Sequence, residues 1–133
     1  MKPYTPKRQE QNREADKVRD ELKRRIGRCE ICLKPRSPDY LCGHEISRGS
    51  GLRLRALDKP FAILIVCRDP NFLEQSDCHR AVQAESEARQ LARLYLCDQS
   101  RFDLAGYLRL TRPQAPLRIT QDEVDLEIEA LLN

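Results

Sequence analysis

Six Cys and two His carry most of the coordinating chemistry open to this chain of 133 residues. Cys29-Glu30-Ile31-Cys32 is a C-x2-C pair. Two thiolates at that spacing can grip one zinc ion from a tight turn, because the turn faces both sulfurs inward. A closed site needs a second pair. Cys67 and Cys78 supply it if the ten residues between them run out as a loop and return. Four thiolates make a structural zinc site and add to the stability of a small core. Cys97 falls in a helical stretch and reads as a packed thiol. Cys42 stands two residues before His44, so the two share a face in a strand; it reads either as core or as a ligand in another arrangement.

These residues need elements to hold them. From Arg8 to Ile26 nothing breaks a helix, and Ala15, Val18, Leu22 and Ile26 recur at helical steps as a narrow apolar stripe. Glu21–Arg25 and Asp20–Arg24 are oriented for i,i+4 pairing, and Gly27 is a stop signal. Tyr40–Ser47 and Ala62–Cys67 are predicted strands, the second fully apolar. A helix is predicted to start near Cys78 and to run on through Ala81, Ala84, Ala88, Leu91 and Tyr95. A short helix over Arg101–Leu110 is predicted with Ser100 as its cap, then a linker over Arg112–Leu117. Thr120-Gln121-Asp122-Glu123 is a capping-box pattern ahead of Val124, Ile128 and Leu131.

Composition sets outer limits. Only 5% of residues are aromatic, and 34% are charged. Any core is therefore aliphatic and thin. The longest apolar run, Phe61–Cys67, falls far below the ~20 residues that span a bilayer. Met1-Lys2-Pro3-Tyr4 opens no apolar signal region, which predicts an unexported, cytoplasmic protein with reduced Cys and no membrane partner. The net charge of +3 is unevenly spread. Residues 1–28 carry ten Lys/Arg against five Asp/Glu, whereas residues 81–133 carry six against nine. The basic end suits a nucleic-acid backbone, or it docks on the acidic end.

Cys29-x2-Cys32, then His44-Glu45-Ile46, an apolar strand into Cys67, and Cys78-His79 together resemble the HNH endonuclease module. The resemblance covers about residues 29–83, and Gly43–Gly49 is similar to small phage-type HNH-like proteins. It implies a ββα-metal fold with a zinc knuckle, a hairpin and a helix around one catalytic cation. Anchored on Ile46, His44 matches a metal ligand, Glu45 takes the general-base position, and His79 matches a second ligand. Alternatively the frame slips by one, His44 is the base and Gly43 stands in the ligand position. The chain departs from the family pattern at Ala62, where an Asn is usual, and at Gln83, where many members carry another His.

The expected fold is therefore α+β, a small zinc-stabilised ββα-metal module flanked by helices. Residues 1–28 form a basic arm and helix, 29–99 the module with a long helix, and 100–133 a helical extension. The expected function is metal-dependent hydrolysis of nucleic-acid phosphodiesters, with DNA as partner. Zn²⁺ sits on Cys29, Cys32, Cys67 and Cys78; Mg²⁺ or another divalent cation sits on His44 and His79. Glu45 acts beside them, and Arg48, Arg53 and Arg55 touch phosphates. The rival readings are a zinc module that binds nucleic acid without cleaving it, and a protein-interaction adaptor working through its flanking helices.

Overall fold

Pro6–Ile26 forms the first helix, α1, in a computed structural model that describes residues 5–46, 56, 58–69, 71, 76–111 and 119–133. Its expected stripe turns inward: Ala15 and Leu22 are buried, with Val18 and Ile26 packed partly against the core. Lys23, Arg24 and Arg25 occupy its last turn, where cations oppose the helix dipole. The chain leaves through Gly27 at φ +64, a left-handed conformation that glycine adopts without side-chain cost. Asp20 pairs with Lys23 at 3.1 Å and Arg25 reaches Asp98 at 3.2 Å, in place of the expected i,i+4 pairs.

Leu41–Glu45 (β1) and Ile63–Cys67 (β2) pair antiparallel, with Leu41 opposite Cys67 and His44 opposite Leu64. The ladder reaches further through Ile46 N–H to Ala62 O at 3.0 Å and Arg68 N–H to Tyr40 O at 2.7 Å. Both strands start one residue later than expected because each follows a 3-10 turn opened by a proline, Pro38–Tyr40 and Pro60–Ala62, and Ser47, the expected end of the first, lies outside the described residues. β2 is buried along its whole length, as an all-apolar strand requires.

The single long helix expected after Cys78 is two helices, α2 (Asp77–Gln83) and α3 (Glu87–Cys97). Ser86 causes the break. Its hydroxyl accepts the Arg89 N–H at 3.1 Å and starts a fresh N-terminus. The stripe loses phase there: Ala81 and Ala84 are exposed, while Val82, Leu91, Ala92 and Leu94 are buried.

Leu104–Thr111 (α4) is capped by Asp103, whose Oδ1 accepts the Gly106 N–H at 2.9 Å, and not by Ser100. Ser100 lies in a 3-10 turn over Gln99–Arg101 and donates to Asp98. Gln121–Leu132 (α5) begins as the capping pattern predicts, with Thr120 Oγ1 accepting the Glu123 N–H at 3.1 Å. It packs along α3, where Arg89 and Glu127 pair at 3.0 Å.

Among the described residues the fold is α+β, with one small antiparallel sheet among helices. β2 shares one hydrophobic cluster with Leu22, Val82, Leu91, Leu94, Tyr107 and Val124. All three expected segments thus contribute to the same core. No helix among the described residues is long and apolar enough to cross a membrane.

Candidate metal centre

Residues 27–36 fold back on themselves. Cys29 N–H donates to Lys34 O at 3.1 Å, Leu33 N–H to Cys29 O at 2.9 Å, and Arg36 N–H to Gly27 O at 3.1 Å. The reversal forces Leu33 to φ +65, which costs an L-residue about 1 kcal/mol. The amides of Ile31 and Cys32 then point at Cys29 Sγ from 3.4 and 3.5 Å.

Glu30, the residue after Cys29, fixes this turn to β2. Its N–H donates to Ile65 O at 2.7 Å and its Oε1 accepts the Ile65 N–H at 2.9 Å. Its carboxylate also receives a two-pronged ion pair from Arg101, at 2.8 and 3.1 Å, with both side chains almost wholly buried. A second tie joins β2 to α2. Ser76 Oγ donates to Cys67 O at 2.5 Å and accepts the His79 N–H at 3.1 Å, so one side chain caps α2 and docks it on the strand end.

These ties converge four sulfurs. The Sγ atoms of Cys29, Cys32, Cys67 and Cys78 all lie within 4.8 Å of one another. Cys32 and Cys67 are 3.6 Å apart. Zn–S bonds of ~2.3 Å in a tetrahedron place sulfurs ~3.8 Å apart, whereas a disulfide needs ~2.05 Å. The cluster has the dimensions of a metal cage and could hold an ion such as zinc. It includes the Cys67–Cys78 pair despite its wide spacing in sequence.

The sulfurs differ electrostatically. Burial pushes the Cys32 thiol up, but the Lys34 backbone amide and hydrogen bonds from Cys67, Cys29 and Cys78 outweigh it and bring it down to about 7. Burial, with hydrogen bonds to Cys29 and Cys32, pushes Cys67 up to about 11. Burial and the nearby Cys29 push Cys78 up as well. Unmetallated, the cluster resists carrying several negative charges, and a dication relieves that conflict. Arg36 Nε donates to Cys67 Sγ at 3.1 Å and offsets further thiolate charge. A cavity of about 370 Å³ opens beside Cys32, Cys67 and Cys78, rimmed by Lys34, Arg36 and Arg68.

The other two Cys stay outside the cluster. Cys97 Sγ approaches Glu30 O at 3.5 Å, and burial raises its pKa, as for a packed thiol. Cys42 Sγ lies 3.9 Å from Cys67 O, and burial raises its pKa too. Cys42 therefore belongs with the core.

His44 and His79 come together. Their ring centres are 5.1 Å apart, edge to face at 78°. A cation bonded at ~2.1 Å to one nitrogen of each ring lies ~3.2 Å from each ring centre, so a shared ion puts the centres ~4.6–5.2 Å apart. The observed spacing falls in that range, which is also that of an edge-to-face ring contact. Glu45 does not join them. Neighbouring strand residues point to opposite faces, and Glu45 pairs with Arg19 of α1 at 2.9 Å while His44 faces α2 and α3. The Arg19 side chain lies so close over Gly43 that a Cβ there would stand 2.9 Å from its Cδ. Ala62 is buried in its 3-10 turn and Gln83 ends α2. Arg48, Arg53 and Arg55 lie outside the described residues.

Sequence reasoning missed three polar residues that organise the site. Glu30 read as a spacer between two ligands. Arg101 gave no signal at all. Gln90 offered one, as an amide at helical spacing with the buried Leu91 and Leu94.

Compared with known proteins, the chain matches no family model, no curated protein and no solved structure.

Proposed function

We propose that the chain is an HNH-like, metal-dependent endonuclease that hydrolyses phosphodiester bonds in DNA. The observation that carries the reading is the meeting of His44, from the first strand of a hairpin, with His79, from the helix that follows it, at 5.1 Å. The β-β-α order and the adjacent thiolate cluster support it. In this reading Cys29, Cys32, Cys67 and Cys78 hold structural Zn²⁺, and His44 and His79 hold Mg²⁺ or another divalent cation. That cation supplies positive charge to the phosphate and lowers the pKa of an attacking water. His44 and His79 fix its position relative to the scissile bond. Arg48, Arg53, Arg55 and the basic residues of α1 track the DNA backbone.

Plasmid nicking with Mg²⁺, Mn²⁺ and Ni²⁺ tests it, comparing the wild type with His44→Ala and His79→Ala at equal zinc content. Cleavage should fall at least tenfold in each variant. Equal residual cleavage by all three proteins refutes the reading.

A second reading, a zinc module that binds nucleic acid without cutting it, is favoured by the Arg19–Glu45 pair, which engages the residue in the base position. It predicts salt-dependent DNA binding with no nicking under any of the three cations.

A further inference from the structure

Gln90 of α3 is 1% exposed, within a face otherwise made of Leu91 and Leu94. A buried amide needs partners at both ends. Its Nε2 donates to Glu85 O at 2.9 Å, in the break between α2 and α3. A carbonyl can only accept, so this contact decides which end of the amide is nitrogen. The reversed amide would set its oxygen 2.9 Å from the Glu85 oxygen with no hydrogen between them. Gln90 Oε1 therefore faces His44 Nε2, at 2.8 Å. An amide oxygen also only accepts, so the hydrogen in that contact belongs to His44 Nε2. In a neutral imidazole the lone pair is then on Nδ1.

We infer that Gln90 is a positioning residue: held by Glu85 O and bonded to His44 Nε2, it sets His44 in the Nε2-protonated tautomer, with the Nδ1 lone pair as the coordinating or proton-accepting nitrogen. The use of that lone pair rests on the nuclease reading; the tautomer itself does not. Histidines that bind metals commonly have the other ring nitrogen fixed by such an acceptor, and the ring is thereby aimed before the ion arrives. Here the aiming group comes from outside residues 29–83. The helix break at Ser86 also gains a purpose, since a continuous helix would engage Glu85 O with a backbone amide.

Long-range ¹H–¹⁵N correlation spectra of the full-length, zinc-loaded protein, recorded without added divalent cation, test this. The expected wild-type spectrum shows His44 protonated at Nε2 alone. Gln90→Met, close in volume but unable to accept this bond, should shift His44 to a mixture of tautomers, and Gln90→Glu, which restores an acceptor, should return it to Nε2–H. A wild-type ring protonated at Nδ1, or at both nitrogens, overturns the inference, as does an unchanged tautomer in folded Gln90→Met. The wild-type spectrum decides the matter even if Gln90→Met fails to fold. Titrating the wild type with Mn²⁺ separates this from the nuclease reading. Broadening of the His44 and His79 ring signals supports both, whereas its absence alongside an Nε2–H tautomer removes the catalytic cation and leaves Gln90 as the residue that sets the ring.

Discussion

Arg101→Met should be among the most damaging single changes outside the thiolate cluster. The substitution keeps much of the side-chain volume and deletes the charge, leaving the Glu30 carboxylate with only the Ile65 N–H of its three protein hydrogen-bond donors. The side chains of Arg101 and Glu30 are 2% and 1% exposed, so water does not take over the lost contacts. Charge centres ~4 Å apart interact by ~4 kcal/mol at an effective dielectric of ~20, and breaking a buried pair by removing one partner typically costs ~3–5 kcal/mol. Arg101 also donates to Ile63 O at 3.0 Å, and losing that bond adds ~1 kcal/mol. The expected loss is therefore ~4–6 kcal/mol, a large part of the ~5–15 kcal/mol that stabilises a typical domain. Urea unfolding at a fixed excess of zinc reads it as a midpoint ~2–3 M lower for a slope of ~2 kcal/mol/M. Glu30→Gln with Arg101→Met removes both charges while keeping an acceptor for Ile65, and should recover more than half of the loss. A cost below ~1 kcal/mol for Arg101→Met, the range of exposed pairs, would refute the reasoning.

Three other outcomes are expected. Purified, reduced protein should carry one zinc per chain by elemental analysis, and Cys78→Ser should lose it together with protection of backbone amides around α2. Glu85 has its pKa held below 4.5 because Arg93 and Arg89 together outweigh its burial, so its contribution is complete above the ordinary carboxylate range and is lost as pH falls through its lowered value; Glu85→Gln should flatten the acid limb of stability measured against pH. Gly27→Ala meets no atom within 4 Å, so the ~1–2 kcal/mol it should cost in thermal unfolding is the price of the left-handed backbone alone.

The four-sulfur cluster was legible because coordination chemistry restricts residue type more tightly than spacing. Cys67 and Cys78 converge although ten residues part them, since Ser76, near the end of that stretch, caps α2 and ties it back to the end of β2. The first helix was legible from its period, and β2 from an unbroken apolar, β-branched run. The long second helix was misread because alanines mark helical spacing without marking burial, and Ser86 outweighs their pattern by capping a new start. Cys97 behaves as expected of a packed thiol. Glu45 was placed beside His44 by the family pattern anchored on Ile46, yet the alternation of a strand turns such neighbours to opposite faces. Glu30–Arg101 and His44–Gln90 were hidden for a different reason: each links residues 46 or more positions apart, and no local pattern announces a buried polar partner.

The pair of hydrogen bonds between Glu30 and Ile65 also guards an edge. A two-stranded sheet has β1 on one side of β2, and the other side of this wholly apolar strand would otherwise present open backbone groups to any passing chain. Glu30 occupies both groups of the central residue and brings a charge with it. Its hold depends on a turn pinned at either end by Cys29 and Cys32. If an ion holds that turn, stripping it should uncover a template for cross-chain strand addition, and protein treated with a chelator should then precipitate as β-rich aggregate instead of lingering as a soluble unfolded chain.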